Sequence, residues 1–440
     1  MTPNIINHDK IGMIADDLTG AGDSGIQFAV KGLETILIFN GGAINDAMVA
    51  DVTVMNTESR GMTGEEAYQN VYEAAALMKD SGIQHLYKKM DSTLRGNWEW
   101  EIKAVADVFQ PDFVIIAPAF PKMGRVTVNG RQFLNGNPIE ETEMRNDPKT
   151  PVLESDMAKM LASQTGRPVQ TITVRELRKQ GRPFQDKLKT FKQNGINWLV
   201  FDAVRDEDLR TIANQMSKTN ERLIWAGSAG LAEYLPEALQ LNSHQKLQDK
   251  AALKSSVLIV AGSMSETTKK QIQALSVDPD IQTIEIDPQT IFLDEQFVKV
   301  KQKVVNNACK LISSGKDIVL YSGCSDRQKQ QVFQIGAAKG FTKNEISNRI
   351  SGQLGFLAKE IAERQSIRNF VVTGGDTARS VFHFMGYTAM KLVREIEPGM
   401  PHGQIIGTNS ANVVTKAGAF GSELSLIHAV KYLRRGFDNE

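Results

Sequence analysis

Short runs of β-branched and apolar residues, each followed by a longer stretch with helical periodicity, recur along almost the whole chain. In the first half they fall at 11–15, 35–39, 52–55, 113–117 and 198–202, too short for helices and bounded by polar turns. Alternation of this kind predicts parallel strands joined by covering helices, an α/β fold. One such helix is legible over 65–79, where Ala67, Val71, Ala74, Ala75 and Met78 share a face and Glu and Lys take the other. The second half repeats the theme at 257–261, 318–321 and 370–373, with a last helix from about 421 to 433. Between them, 240–255 turns polar, as domain linkers do. A chain of 440 residues exceeds what one core usually holds. The expectation is two domains, 1–245 and 246–440, each with a mainly parallel sheet flanked by helices.

Lys+Arg and Asp+Glu both number 51, so no global charge favours nucleic acid or an anionic membrane surface. Any anion must be caught locally. The two cysteines, Cys309 and Cys324, are too few for a disulfide framework and lack ligand spacing, which suits a reducing compartment. No basic stretch and apolar run open the chain, and no later run reaches the ~18–20 residues of a spanning helix. The expected location is the cytoplasm.

In an open parallel sheet, ligands bind beyond the carboxyl ends of the strands. The loop after the first strand reads Ala15-Asp16-Asp17-Leu18-Thr19-Gly20-Ala21-Gly22-Asp23-Ser24-Gly25. Its glycines spell G-x-G-x-x-G, yet Asp16 and Asp17 stand where a dinucleotide's pyrophosphate would lie and would repel it. Carboxylates there suit sugar hydroxyls or a cation, or cap the helix beginning near Thr19. A second loop, Lys88-Lys89-Met90-Asp91-Ser92-Thr93-Leu94-Arg95-Gly96-Asn97, follows a strand ending near Tyr87. Cations for an acid group and Asp91 and Ser92 for hydroxyls fit a polyhydroxy carboxylate, with Gly96 allowing close approach; a capped surface turn is the plainer alternative. Arg60, after the strand at 52–55, could bind the same acid. The turn-rich segment 117–130 could form a rim or lid.

No Walker A loop is present, because Gly315-Lys316 is followed by Asp317 and lacks the upstream glycine. Val371-Val372-Thr373-Gly374-Gly375-Asp376-Thr377-Ala378 nevertheless leaves a buried strand through two glycines into a helix, whose free N–H groups attract phosphate. Asp376 could recruit Mg2+ or cap that helix. The strings at 260–265 and 416–421 share its small-residue content. His383, His402 and His428 lack metal-ligand spacing, so structural roles are expected.

Together these strings resemble the four-carbon acid sugar kinase family over nearly the whole chain. The resemblance rests on 15–21, 89–97, Gly124-Arg125 with Asn129-Gly130, 374–378 and 416–421. It implies a sugar-acid-binding N-terminal domain and a nucleotide-binding C-terminal one. It further implies that Asp16, Asp17, Arg60, Lys89, Asp91, Ser92, Arg95 and Gly96 meet substrate, and that Ser263, Gly374, Gly375, Asp376, Thr377 and Gly418 meet ATP. Mg2+ and backbone N–H groups would neutralise the phosphates while Asp17 or Asp91 orients or deprotonates the attacking hydroxyl. Phosphoryl transfer would then require the two halves to close on each other. The 3-oxo-tetronate members differ around the second loop, so the resemblance points to D-threonate or D-erythronate, phosphorylated to the 4-phosphate. The implied partners are the sugar acid and ATP, with a homodimer left open. Two other classes stay in view: an NAD-dependent dehydrogenase of a small hydroxy acid, and a non-catalytic sugar-acid sensor.

Overall fold

The strand-forming runs are apolar on both faces, so each must be covered on both sides, which is how parallel sheets are built. Ile11–Ala15 (β1) is buried throughout, as is Phe113–Ala117. The structure, a computed structural model, describes residues 10–39, 50–147, 149–179, 181–241, 255–262, 265–323, 325–407, 410–418 and 420–435. The chain divides into two units, Met1–Ile38 with Ile44–Lys246, and Phe39–Ala43 with Leu247–Glu440. Residues 242–254, around the expected linker, lie outside the described residues. Phe39 goes with the second unit because its ring stacks on Phe382 at 4.4 Å and its N–H donates to Thr388 O at 2.8 Å.

In the first unit the further strands are Thr35–Ile38 (β2), Val52–Asn56 (β3), His85–Lys89 (β4), Phe113–Ala117 (β5), Arg125–Val128 (β6), Arg131–Leu134 (β7), Asn137–Pro138 (β8), Val169–Ile172 (β9), Trp198–Phe201 (β10) and Leu223–Gly227 (β11). The main sheet runs β2-β3-β1-β4-β11-β5-β10-β9, and every pairing is parallel. Its core includes Val71, Ala75, Met78, Trp98, Ile102, Val114, Trp198 and Ile224. β4 continues through Lys88 and Lys89 instead of ending near Tyr87, since a buried acid beneath the sheet's end compensates the first lysine. The segment 117–130 contains β6, which pairs with β7, and β7 with β8, as a small antiparallel sheet.

The second unit holds Val257–Ala261 (β12), Ile281–Ile286 (β13), Asp317–Ser322 (β14), Asn369–Thr373 (β15), Ala389–Glu395 (β16), Pro401–Ile405 (β17) and Asn412–Lys416 (β18). Their order is β13-β14-β12-β15-β18-β17-β16, parallel from β13 to β18 and antiparallel beyond. The last helix is Ser425–Arg435, starting later than expected. Among the described residues no helix is long and apolar enough to cross a membrane.

Both sheets have a switch point, where the chain changes the direction in which it adds strands. In the first unit it lies beside β1, with β3 on one side and β4 on the other; Ala15 pairs with both Asn56 and Lys89, so three loops leave the sheet level with one another. In the second it lies between β12 and β15, where Ala261, Thr373 and Lys416 are in register. Ligands bind in such crevices.

Candidate active site

The loop after β1 turns at once into the helix Leu18–Ala29, and Asp17 is its N-cap, accepting from Gly20 N at 2.9 Å and Thr19 Oγ1 at 2.8 Å. Capping is therefore one of its tasks and not the alternative to a site. The loop after β3 is tied alongside: Thr57 N and Arg60 N donate to Ala15 O and Asp16 O. Asn97 Nδ2 holds the same turn, donating to Ser59 O at 3.0 Å and Met62 O at 2.9 Å. Arg60 is thereby aimed across β1. Its Nε and Nη2 reach Asp16 at 2.7 and 3.1 Å, and Nη1 and Nη2 each reach Asp17 at 2.8 Å.

This geometry changes what Arg60 can do. A guanidinium has five N–H donors in a fixed fork, and Arg60 already spends four such bonds on two carboxylates. Burial would lower its pKa, but Asp16 and Asp17 raise it well above the ordinary arginine value. Asp16 is 2% exposed; burial alone would push its carboxyl up, yet Arg60 and then Lys89 and Lys88 hold it below the usual range.

The loop after β4 supplies a second ion pair. Asp91 Oδ2 accepts from Arg95 Nε at 2.8 Å and N at 3.3 Å and also from Thr93 Oγ1, while Oδ1 accepts from Arg95 Nη2 at 3.1 Å. Arg60 Nη2 lies 3.9 Å from that same Oδ1. Burial would raise the Asp91 carboxyl; Arg95 and Arg60 instead hold it well below the usual carboxylate range. Gly96, at φ +91°, runs under Arg60, where a Cβ would sit 2.9 Å from Arg60 Cγ. Ser92 is half-buried, and its carbonyl accepts from Gln132 Nε2 at 2.7 Å.

Lys88 and Lys89 alternate across the sheet. Lys88 is fully buried, its ammonium 2.8 Å from Glu101 Oε2 as an ion pair and 2.6 Å from Lys89 O. Glu101 also accepts from Ser59 Oγ at 2.6 Å. This Ser59, Lys88, Glu101 network escaped the sequence reading; the signal was Glu101 on the apolar side of its helix. Lys89 is 4% exposed, and among the described residues its ammonium has neither a hydrogen bond nor an ion pair. A Cβ on Gly20 would lie 2.5 Å from Asp17 Oδ1 and 2.7 Å from Lys89 Nζ. Gly20 thus lets Lys89 Nζ and the Asp17 carboxylate pack against its backbone, a task unrelated to the dinucleotide fingerprint.

Of the residues expected in the second unit, Ser263 lies outside the described residues. Gly374, Gly375, Asp376, Thr377 and Gly418 meet at the switch point, with Gly374 N donating to Lys416 O at 2.9 Å. Gly374 takes φ +98° as N-cap of the helix Gly375–Met385 and has no side chain with which to cap it. The first-turn N–H groups are therefore available to an anion. Gly262 brings the end of β12 against this turn, where a Cβ would lie 2.1 Å from Thr377 Oγ1. Thr373 Oγ1 is buried there with no hydrogen-bond partner among the described residues. Such a junction fits nucleotide phosphates. Asp376 brings one carboxylate to it, 39% exposed and 3.8 Å from Arg379. Among the described residues no group of three or more His, Cys, Asp or Glu side chains could hold a metal ion.

Comparison with known proteins agrees with this division of labour. Residues 11–235 match a family described as a sugar-binding N-terminal domain, and 258–426 one described as a nucleotide-binding C-terminal domain. A D-threonate kinase of Salmonella typhimurium is 33% identical over 96% of this chain and 98% of its own. A D-erythronate kinase of Heliobacterium modesticaldum is 28% identical over 97% and 98%. A solved structure from Salmonella typhimurium LT2, 24% identical, superposes with a TM-score of 0.80 over 96% of this chain and 98% of that one, which shows the shared fold. Matched in both halves and aligned with its relatives almost end to end, this chain belongs to the four-carbon acid sugar kinase family and is a phosphotransferase.

Proposed function

We propose that the protein phosphorylates the terminal hydroxyl of D-threonate or D-erythronate to the 4-phosphate, with ATP and Mg2+. The observation that carries the acid half of this reading is Lys89. It is a buried ammonium that among the described residues has no hydrogen bond or ion pair, beside Gly20 at the switch point of the sugar-binding unit. A substrate carboxylate placed there gains a charge-assisted hydrogen bond. Arg60 is committed to Asp16 and Asp17 and holds those carboxylates in place.

The choice between Asp17 and Asp91 turns on acceptor capacity. Each Asp17 oxygen already takes two donors. Asp91 Oδ1 takes one, at 3.1 Å, and keeps a lone pair for a substrate hydroxyl. With its pKa held low, Asp91 stays ionised and acts by orienting the hydroxyl, which suits a loose phosphoryl-transfer transition state that asks little of a base. On the nucleotide side, the 375–377 N–H groups and Gly418 N–H would take phosphate oxygens, with Asp376 toward the cation. Bound Mg2+ would supply charge neutralisation between the phosphates.

Lys89→Met tests the reading. Losing one charge-assisted bond costs about 1.5–3 kcal/mol, so kcat/KM for the acid should fall by ten-fold to more than a hundred-fold. A neutral four-carbon polyol never used the cation and should lose little. Equal losses on acid and polyol would remove Lys89 from carboxylate recognition.

A further inference from the structure

Lys416 closes β18 and is 1% exposed, and the proposed function leaves it without a task. Its carbonyl anchors Gly374 N at 2.9 Å, so its backbone already touches the phosphate junction. Its ammonium does not point at that junction's helix. It turns back on its own loop and donates to Ala417 O at 2.8 Å, Gly418 O at 3.1 Å and Phe420 O at 3.0 Å. An ammonium has three N–H donors and no acceptor, so this set is complete.

The same carbonyls are gripped from the helix Glu266–Leu275 and its cap. Ser265 Oγ and Thr268 Oγ1 donate to Gly418 O at 2.8 and 3.0 Å, and Gln271 Nε2 donates to Phe420 O at 3.1 Å and Ser422 O at 2.7 Å. Spacings of three residues put Ser265, Thr268 and Gln271 on one helical face. In a trans peptide the C=O of one residue and the N–H of the next point in opposite directions. Drawing the Ala417 and Phe420 carbonyls toward Lys416 therefore turns the Gly418 and Gly421 N–H groups away from it. Backbone amides presented in that way bind anions.

We propose that Lys416 is a positioning residue for the nucleotide: its buried ammonium is the hub that orients the Gly418 and Gly421 amides toward phosphate, without itself touching phosphate. The inference rests on the phosphate-binding reading of this junction. Gln271, which also draws on the Phe420 carbonyl, acts in the same direction from the helix.

The test is Lys416→Met, which keeps length and removes the donors, with Gln271→Met, which removes a second donor to the Phe420 carbonyl, as a milder variant should the first not fold. In wild type, ADP-Mg should protect amides around 375–377 and 418–421 from hydrogen exchange; no protection there would defeat the phosphate-binding reading itself. Given that protection, Lys416→Met should raise the ATP KM and the ADP Kd about ten-fold or more, with Gln271→Met shifted less in the same direction. The Kd for the sugar acid should not move. Exchange at Gly418 and Gly421 should also quicken in the nucleotide-free variant. A weaker nucleotide affinity with unchanged nucleotide-free exchange would mean that Lys416 contacts phosphate directly, overturning the hub. Unchanged nucleotide affinity in a folded Lys416→Met protein would overturn the inference outright.

Discussion

Asp91→Asn is expected to lower kcat by about 10²–10⁴-fold, the range a positioned acid–base or orienting group commands. The amide is nearly isosteric but replaces one acceptor oxygen with a donor. Asp91 Oδ2 is committed to Arg95 and Thr93, so the exchange falls on the pair of bonds at Arg95 or on the lone pair left at Oδ1. Either way the hydroxyl loses its aim. KM for the acid should change far less than kcat, because Lys89 still holds the carboxylate. Steady-state kinetics on the four-carbon acid separates the two, and a variant whose loss lay wholly in KM would return the orienting role to Asp17. The low Asp91 pKa also has a sign. Its stabilising contribution is fully present above the unfolded value of 3.8 and is lost only as pH falls through the lower folded value.

Arg60→Ala should cost about 3–5 kcal/mol of stability, the usual penalty for removing one side of a buried ion pair. The side chain is 19% exposed, and its departure leaves Asp16, at 2%, facing Asp17 with only Lys89 and Lys88 to offset it. Two adjacent carboxylates in that setting cannot both remain charged cheaply. In the wild type Arg60 holds the Asp16 carboxyl low, so stability is lost on acidification. In the variant the Asp16 carboxyl should rise above its unfolded value, so protonation favours the fold and stability should recover as pH falls below that raised value. Urea unfolding at several pH values reads both effects. A variant of native stability with activity lost only on the acid would instead make Arg60 the carboxylate receptor that the sequence suggested.

Most strand ends were legible because apolar runs bounded by polar turns leave little choice in a parallel sheet. The exception at β4 has a plain cause. Lys88 and Lys89 look like loop residues, but Glu101, thirteen positions away on another element, neutralises Lys88 inside the protein. Arg60 shows the same limit: its type and strand-end position marked it for the site, whereas its partners Asp16 and Asp17, 44 and 43 residues upstream, appear only once β1 and β3 are paired. The glycines at 20, 22 and 25 carried a false signal. Gly20 is required for the room it leaves Lys89, which no local spacing encodes. Lys416 lay within a string read for its glycines, and its work depends on three carbonyls that fold back on it.

The central claim is catalysis on a four-carbon sugar acid. The direct test is to incubate the purified protein with ATP, Mg2+ and either D-threonate or D-erythronate, following ADP release and identifying the product by phosphorus-31 and proton NMR. The account predicts one ADP per acid consumed and phosphate on the C4 oxygen. ADP release without a phosphorylated acid, or no release although acid and ADP-Mg each raise the melting temperature, would contradict it; the second outcome would make the protein a sensor.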